Sequence, residues 1–220
     1  MTTANQPHAV LWDLDGTLID SESYWIEAET NLARRYPGDW DHSNGLELIG
    51  LALPVSCGIM RERIGIHDLT IDEMINELTD AVLLNLKREI PWRPGARELL
   101  LALNEAGIRQ ALVTMSMRRM ALTVANSFEA EVFEVVVAGE DVVNGKPHPE
   151  SFLKAAELLG VLPENCVAFE DSLNGLASAE SAGTKAVAVP NMMHIPEVPG
   201  RTIWSGLEDK SPNHLLELFS

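Results

Sequence analysis

The chain has 220 residues, with 16 Lys and Arg against 33 Asp and Glu, so its formal charge is −17. That balance repels phosphate backbones and anionic lipid surfaces, and no basic patch offsets it, which argues against a nucleic-acid or peripheral-membrane partner. At 46% hydrophobic and 22% charged residues, the composition is that of a globular protein rather than a disordered chain or a disulfide-stapled miniprotein.

At the start, Met1 to His8 carry no basic region followed by an apolar run, so no secretory signal is expected. No apolar stretch approaches the roughly 20 residues that a membrane helix needs. The run Ala9-Val10-Leu11-Trp12 reads as a buried strand that ends in the polar loop Asp13-Leu14-Asp15-Gly16-Thr17. A helical pattern from Ser21 to Tyr36 stops at Pro37-Gly38-Asp39. A second helix is expected from about Pro54 to Ile64, and a third starts at Thr70, where Thr70-Ile71-Asp72-Glu73 is a capping box. Residues 20–90 are thus mostly helical. Cys57, within that block, and Cys166 are too few for a disulfide framework. They point to a reducing compartment, read as the cytoplasm, and to buried apolar roles.

After a linker, Pro91-Trp92-Arg93-Pro94-Gly95, the texture changes to alternating helix and strand. Helices are expected over Ala96–Ala106, Arg118–Ser127, Pro149–Leu159, Leu173–Ala182 and His214–Phe219. Strands are expected over Ile108–Val113, Val132–Val137, Cys166–Phe169 and Lys185–Val189. Alternation with near-continuous apolar strands predicts an α/β fold with a parallel sheet covered on both faces. The first strand belongs to that sheet, yet the helical block separates it from the rest. Residues 1–19 and 91–220 are therefore read as an α/β core, and residues 20–90 as an inserted helical domain placed like a lid above the carboxyl edge of the sheet.

Ligands of open α/β sheets bind beyond the carboxyl ends of the strands, so the polar residues there are the ones to collect. They are Asp13 and Asp15 after the first strand, Thr114 and Ser116 after Val113, and Glu170 and Asp171 after Phe169. Lys146 joins them from Gly145-Lys146-Pro147-His148-Pro149. Two carboxylates about 4 Å apart repel by roughly 4 kcal/mol at an effective dielectric near 20, and one lysine does not neutralise several of them. A divalent cation does, and an all-oxygen set favours Mg²⁺ over Zn²⁺. Asp13, Asp15 and Asp171, with Glu170, are therefore candidate neighbours of Mg²⁺. With Lys146 and the Thr114 hydroxyl they form a pocket for an oxygen-rich anion such as a phosphoryl group. The strand ends at these acids, and Gly16 permits the turn by which Asp15 swings beside Asp13. One carboxylate is then placed to attack phosphorus while the other handles protons.

These residues form a known pattern. Asp13-Leu14-Asp15-Gly16-Thr17, Thr114 after an apolar strand, Lys146 in Gly-Lys-Pro-His-Pro, and Phe169-Glu170-Asp171-Ser172-Leu173-Asn174-Gly175 resemble, in order and spacing, the four motifs of the haloacid dehalogenase superfamily. The resemblance runs from Val10 to about Pro190 and is strongest to the branch of β-phosphoglucomutase-like proteins and sugar phosphatases with a helical cap. It implies a Rossmann-like core, Asp13 as the nucleophile that becomes an aspartyl-phosphate, and Asp15 as acid and base whose backbone carbonyl also meets Mg²⁺. It further implies phosphoryl contacts from Thr114 and Lys146, with Ser116 as a further phosphate contact, and metal contacts from Glu170 and Asp171. The second aspartate, Asp15, argues against a dehalogenase.

The mutases of this branch carry a His where Trp25 stands, and an Arg in the cap loop where Gly50-Leu51-Ala52-Leu53 is apolar. Those departures favour water as the acceptor. The expected protein is a monomeric phosphatase of a small sugar or polyol phosphate, with Trp25 as a cap specificity residue, a hexose-phosphate mutase as the alternative, and a non-catalytic binding protein as the rival class. A Walker A loop around Gly139 and Gly145-Lys146 fails on spacing and on Pro147. A response-regulator receiver places its phosphorylated Asp on a middle strand. His42, His67, His148 and His194 lack metal-ligand spacing.

Overall fold

The computed structural model describes residues 7–49 and 51–219. The readings that touch Met1 to Gln6 and Gly50 lie outside them. Strand β1 (Ala9–Trp12) leads into α1 (Glu22–Ala33), α2 (His42–Leu48), α3 (Leu53–Ile64) and α4 (Ile71–Arg88). Then follow α5 (Ala96–Glu105), β2 (Arg109–Val113), α6 (Arg118–Ala125), β3 (Val135–Val137), α7 (Glu150–Leu159), β4 (Cys166–Glu170), α8 (Leu173–Ser181), β5 (Lys185–Ala188), β6 (Thr202–Ile203) and α9 (Pro212–Leu216). The chain divides into two compact units, one formed by the chain up to Asp20 and from Trp92 onward, the other by Ser21–Pro91.

In the α/β unit, the described strands pair in parallel in the order β3-β2-β1-β4-β5-β6. The central strands β1 and β4 are buried at every position, because helices cover both faces of the sheet. Leu11, Ala111, Val113 and Ala168 share one core with Phe152 and Ala156 of α7 and Ala179 of α8. On the opposite face Gln110 binds the Leu100 carbonyl of α5 (3.0 Å) and accepts from Trp12 Nε1 (3.0 Å). Strand β6 was not expected, and some expected elements have other bounds. The strand expected from Val132 begins only at Val135, because Val132 and Phe133 pack into the core ahead of the ladder. The last helix starts at Pro212, which suits a first turn, and gives way to a 3₁₀ turn at Glu217–Phe219.

In the helical unit, the Thr70 hydroxyl accepts from the Glu73 amide and the Glu73 carboxylate from the Thr70 amide (3.2 and 2.8 Å), the expected capping box of α4. Helix α2 was not foreseen. Its sequence, His-Ser-Asn-Gly-Leu-Glu-Leu, is poor in helix formers, and Asp41 starts it by accepting from the Ser43 and Asn44 amides (2.8 and 3.2 Å). Among the described residues, no helix is long and apolar enough to cross a membrane. Cys57 and Cys166 are free and buried. Burial pushes both thiols up to about 12, and the charge of Glu29 adds to the effect at Cys57.

Glu29 itself is the unusual member of this unit. It lies buried on α1 beside Gly45 of α2 and near Cys57 of α3, and its Oε2 has no hydrogen-bond partner among the described residues. Burial pushes its carboxyl from the ordinary 4.5 up to about 8, because it strips the charged form of its hydration. Between these two values the unfolded chain has released the proton that the folded chain retains. Stability therefore falls as pH rises through that window, by about 1.4 kcal/mol per pH unit from this group. Urea unfolding of wild type and Glu29→Gln at pH 5, 6.5 and 8 is expected to show a stability difference that shifts steadily in favour of Glu29→Gln as pH rises. A difference constant across the three pH values would refute the buried, neutral carboxyl.

Candidate active site

The parallel register brings the site together. Trp12 pairs with Leu112 on one side and with Phe169 on the other. The residues just beyond, Asp13, Val113 with Thr114, and Glu170 with Asp171, thus emerge at one edge of the sheet. Strand β1 is also where the chain order reverses, with β2 and β3 on one side and β4, β5 and β6 on the other, so the crevice opens beside Asp13. Backbone bonds fix the exits: the Asp13 amide donates to the Phe169 carbonyl (3.1 Å) and the Thr114 amide to the Val137 carbonyl (2.9 Å). Beneath them the rings of Trp12 and Phe169 stack at 4.3 Å.

Side chains alternate along a strand, so Asp13 continues the face of Ala9 and Leu11, and Glu170 that of Cys166 and Ala168. Both acids therefore turn to the side covered by α7. Lys146, in the loop before that helix, meets them there. Its Nζ donates to Asp13 Oδ1 (2.7 Å), Glu170 Oε1 (2.7 Å) and the Val113 carbonyl (2.9 Å), and lies 5.0 Å from the centre of the Phe152 ring. Burial alone would lower the lysine's pKa, but the two carboxylates outweigh it and hold the ammonium above its ordinary range. One cation is insufficient for two buried acids. Burial, and then the charge of Glu170, push the Asp13 carboxyl up to about 7 against the opposing effect of Lys146.

Asp171 completes a trio. Ligand oxygens of Asp13, Glu170 and Asp171 all lie within 4.8 Å of one another, and all three residues are buried. Asp13 Oδ2 is buried with no hydrogen-bond partner among the described residues. An all-oxygen donor set with an orphaned carboxylate oxygen fits a hard divalent cation. Two glycines make the approach possible. Gly16 has φ of +81°, and a Cβ there would overlap the Asp171 carboxylate; a Cβ on Gly175 of α8 would overlap the Glu170 carboxylate.

Asp15 is engaged differently from the trio. The turn at Gly16 directs its carboxylate to the end of β2, where the Ser116 hydroxyl donates to Oδ2 (2.6 Å) and the Thr114 hydroxyl lies 3.3 Å from the same oxygen. The Thr114 hydroxyl also accepts from the Ser116 amide (2.9 Å). The structure thus assembles Asp13, Asp15, Thr114, Ser116, Lys146, Glu170 and Asp171 in one unit. Trp25 is half-buried on α1 of the helical unit.

The sequence pattern of the haloacid dehalogenase-like hydrolases matches residues 10–189. The chain belongs to that family. It is 34% identical over 182 residues to a phosphorylated carbohydrates phosphatase of Thermotoga maritima, covering 81% of this chain and 83% of the relative. It is 30% identical over 192 residues to hexitol phosphatase B of Escherichia coli K12, covering 86% of each. The crystal structure of CbbY from Rhodobacter sphaeroides in complex with phosphate superimposes with a TM-score of 0.84 at 27% identity, over 93% of this chain and 96% of that one. The chain is therefore an enzyme of the hydrolase class, and the motif-based expectation of family and fold holds.

Sequence reasoning did not foresee that the hydroxyl of Ser116 binds Asp15, a contact 101 residues apart in sequence. Nor did it foresee the role of Gly175, whose only signal was its place in the Glu170–Gly175 motif. Gly175→Ala forces the Glu170 carboxylate off Lys146 and is expected to lower unfolding stability by about 1–3 kcal/mol with an unchanged circular dichroism spectrum. Equal urea midpoints for the two proteins would contradict the close approach.

Proposed function

We propose that this hydrolase is a Mg²⁺-dependent phosphatase of a small sugar or polyol phosphate, working through an aspartyl-phosphate on Asp13. The observation that carries the reading is the buried Lys146 shared between Asp13 and Glu170, with Asp13 Oδ2 left without a donor among the described residues. That arrangement supports a carboxylate held ready for an electrophile rather than a closed ion pair. The phosphatase relatives named above support the substrate class.

In this reading the Asp13 carboxylate attacks phosphorus as the bond to the substrate oxygen breaks, and Asp15 gives that oxygen its proton. Asp15, now a carboxylate, takes a proton from water, whose oxygen attacks the same phosphorus. The bond to Asp13 breaks, inorganic phosphate leaves, and both carboxyls return to their starting states. Lys146, Thr114 and Ser116 hold phosphoryl oxygens, and the Lys146 charge also offsets that of Glu170. Asp13, Glu170, Asp171 and the Asp15 backbone carbonyl would hold Mg²⁺. When bound, that ion supplies positive charge to the phosphoryl oxygens and to the acidic trio.

The Ser21–Pro91 unit is assigned the role of a cap that sets substrate preference, with Trp25 as the specificity residue. The apolar stretch at Leu51-Ala52-Leu53 and the absence of a His at position 25 favour hydrolysis over phosphoryl transfer back to a sugar. The net charge of −17 supports a monomeric enzyme without nucleic-acid or membrane partners. The two free thiols support a cytoplasmic setting.

With p-nitrophenyl phosphate, activity is expected to require Mg²⁺, to vanish with EDTA, and to fall more than about a thousandfold in Asp13→Asn. Incubation with β-glucose 1-phosphate is expected to release inorganic phosphate. Accumulation of glucose 6-phosphate instead would establish the mutase, and full activity of Asp13→Asn would remove the nucleophile.

A further inference from the structure

The sequence places Arg93 in a plain linker, but its contacts are those of a fixed anchor. Its backbone amide donates to the Leu18 carbonyl (2.9 Å), and Trp92 beside it forms an antiparallel bridge with Ile19. The guanidinium is half-buried and donates to three carbonyls: Nη1 to Gly16 (2.6 Å) and Val189 (2.8 Å), and Nη2 to Pro190 (2.9 Å). These acceptors lie on two loops, one leaving β1 and one leaving β5. Burial holds the guanidinium's pKa below its ordinary range, and the charges of Asp171 and Asp20 offset this only in part.

Three charge-assisted bonds from one planar fork to carbonyls on separate loops fix their spacing, which an ammonium on a flexible stem does not reproduce. The acceptor that matters for chemistry is Gly16. Its carbonyl sits one peptide after Asp15, its amide donates to the Ile19 carbonyl (2.8 Å), and its Cα packs directly on the Asp171 carboxylate. A tilt of the Gly16 peptide would therefore move Asp15 relative to Thr114 and Ser116 and disturb Asp171 as well.

We propose that Arg93 is a positioning residue, which holds the Gly16 carbonyl so that the Asp15 carboxyl stays aligned with the leaving-group oxygen. The proposal rests on the phosphatase reading for its kinetic arm only. Misplacing a proton donor is costly when the leaving group is an alkoxide and nearly harmless when it is p-nitrophenolate, which departs without a proton. A merely structural arginine would weaken both reactions alike.

The test compares wild type, Arg93→Met and Arg93→Lys by two readouts. The first is amide hydrogen exchange over residues 14–20, where the Gly16, Leu18 and Ile19 amides are hydrogen-bonded. Both variants are expected to exchange at least about tenfold faster there, with β1 and β4 unchanged. The second is kcat/KM, which reports formation of the phosphorylated enzyme. It is expected to fall about 10- to 100-fold with glucose 6-phosphate and no more than about threefold with p-nitrophenyl phosphate. Unchanged exchange over 14–20 overturns the anchor, whatever the activity. Equal falls on the two esters, or none, overturn the positioning role. A wild type inactive on both esters removes the phosphatase reading, and the exchange experiment still decides whether Arg93 holds the loop.

Discussion

A buried ammonium between two buried carboxylates organises this molecule. Lys146 reaches Asp13 and Glu170 at 2.7 Å each, and neither acid would persist in that environment without a cation, since hydration is lost and no other donor replaces it fully. Everything needed to make the contact is set by the sheet. Adjacent parallel strands in matched register bring Asp13 and Glu170 to the same height, and the pleat turns both to the face that α7 covers. The loop ahead of α7 then delivers Lys146, with Phe152 of that helix lying against it. The arrangement leaves a deficit of positive charge, because one lysine is shared by Asp13 and Glu170 while ligand oxygens of Asp171 lie within 4.8 Å of theirs. In the proposed reading, that deficit makes the edge of the sheet a cation and phosphoryl site rather than a structural salt bridge.

A second consequence is that two acids only two residues apart meet different surroundings. The turn at Gly16 leaves Asp13 with the lysine and the acidic trio and sends Asp15 to the hydroxyls of Thr114 and Ser116. Carboxyls in such different surroundings suit one that bonds to phosphorus and one that moves protons. The glycine is required on two counts, its left-handed backbone and the absence of a side chain against Asp171.

Much of this was visible in the amino-acid order. Val10-Leu11-Trp12 and Val167-Ala168-Phe169 read as strands because strands buried on both faces are continuously apolar, and the acids stand where those runs end. The capping box at Thr70 is a local device, and a local pattern reveals it. Other features depend on contacts that no local pattern encodes. Helix α2 exists because Asp41 caps it and Gly45 is buried against Ile26 and Glu29, while its composition reads as loop. Strand β6 is two residues long and pairs only at the margin of the sheet. Glu29 looks like one more acid on an amphipathic helix, and only packing shows that it is buried. Arg93 looked like part of a linker because its three acceptors are 77 to 97 residues away.

The central claim is that the carboxylates gathered by the sheet are completed by a divalent cation. Crystals soaked in Mn²⁺, which substitutes for Mg²⁺ at oxygen sites, test it through the anomalous scattering of the ion. The account predicts a single strong peak bounded by carboxylate oxygens of Asp13, Glu170 and Asp171. An anomalous map empty at that position, or a peak held by other residues, would contradict it.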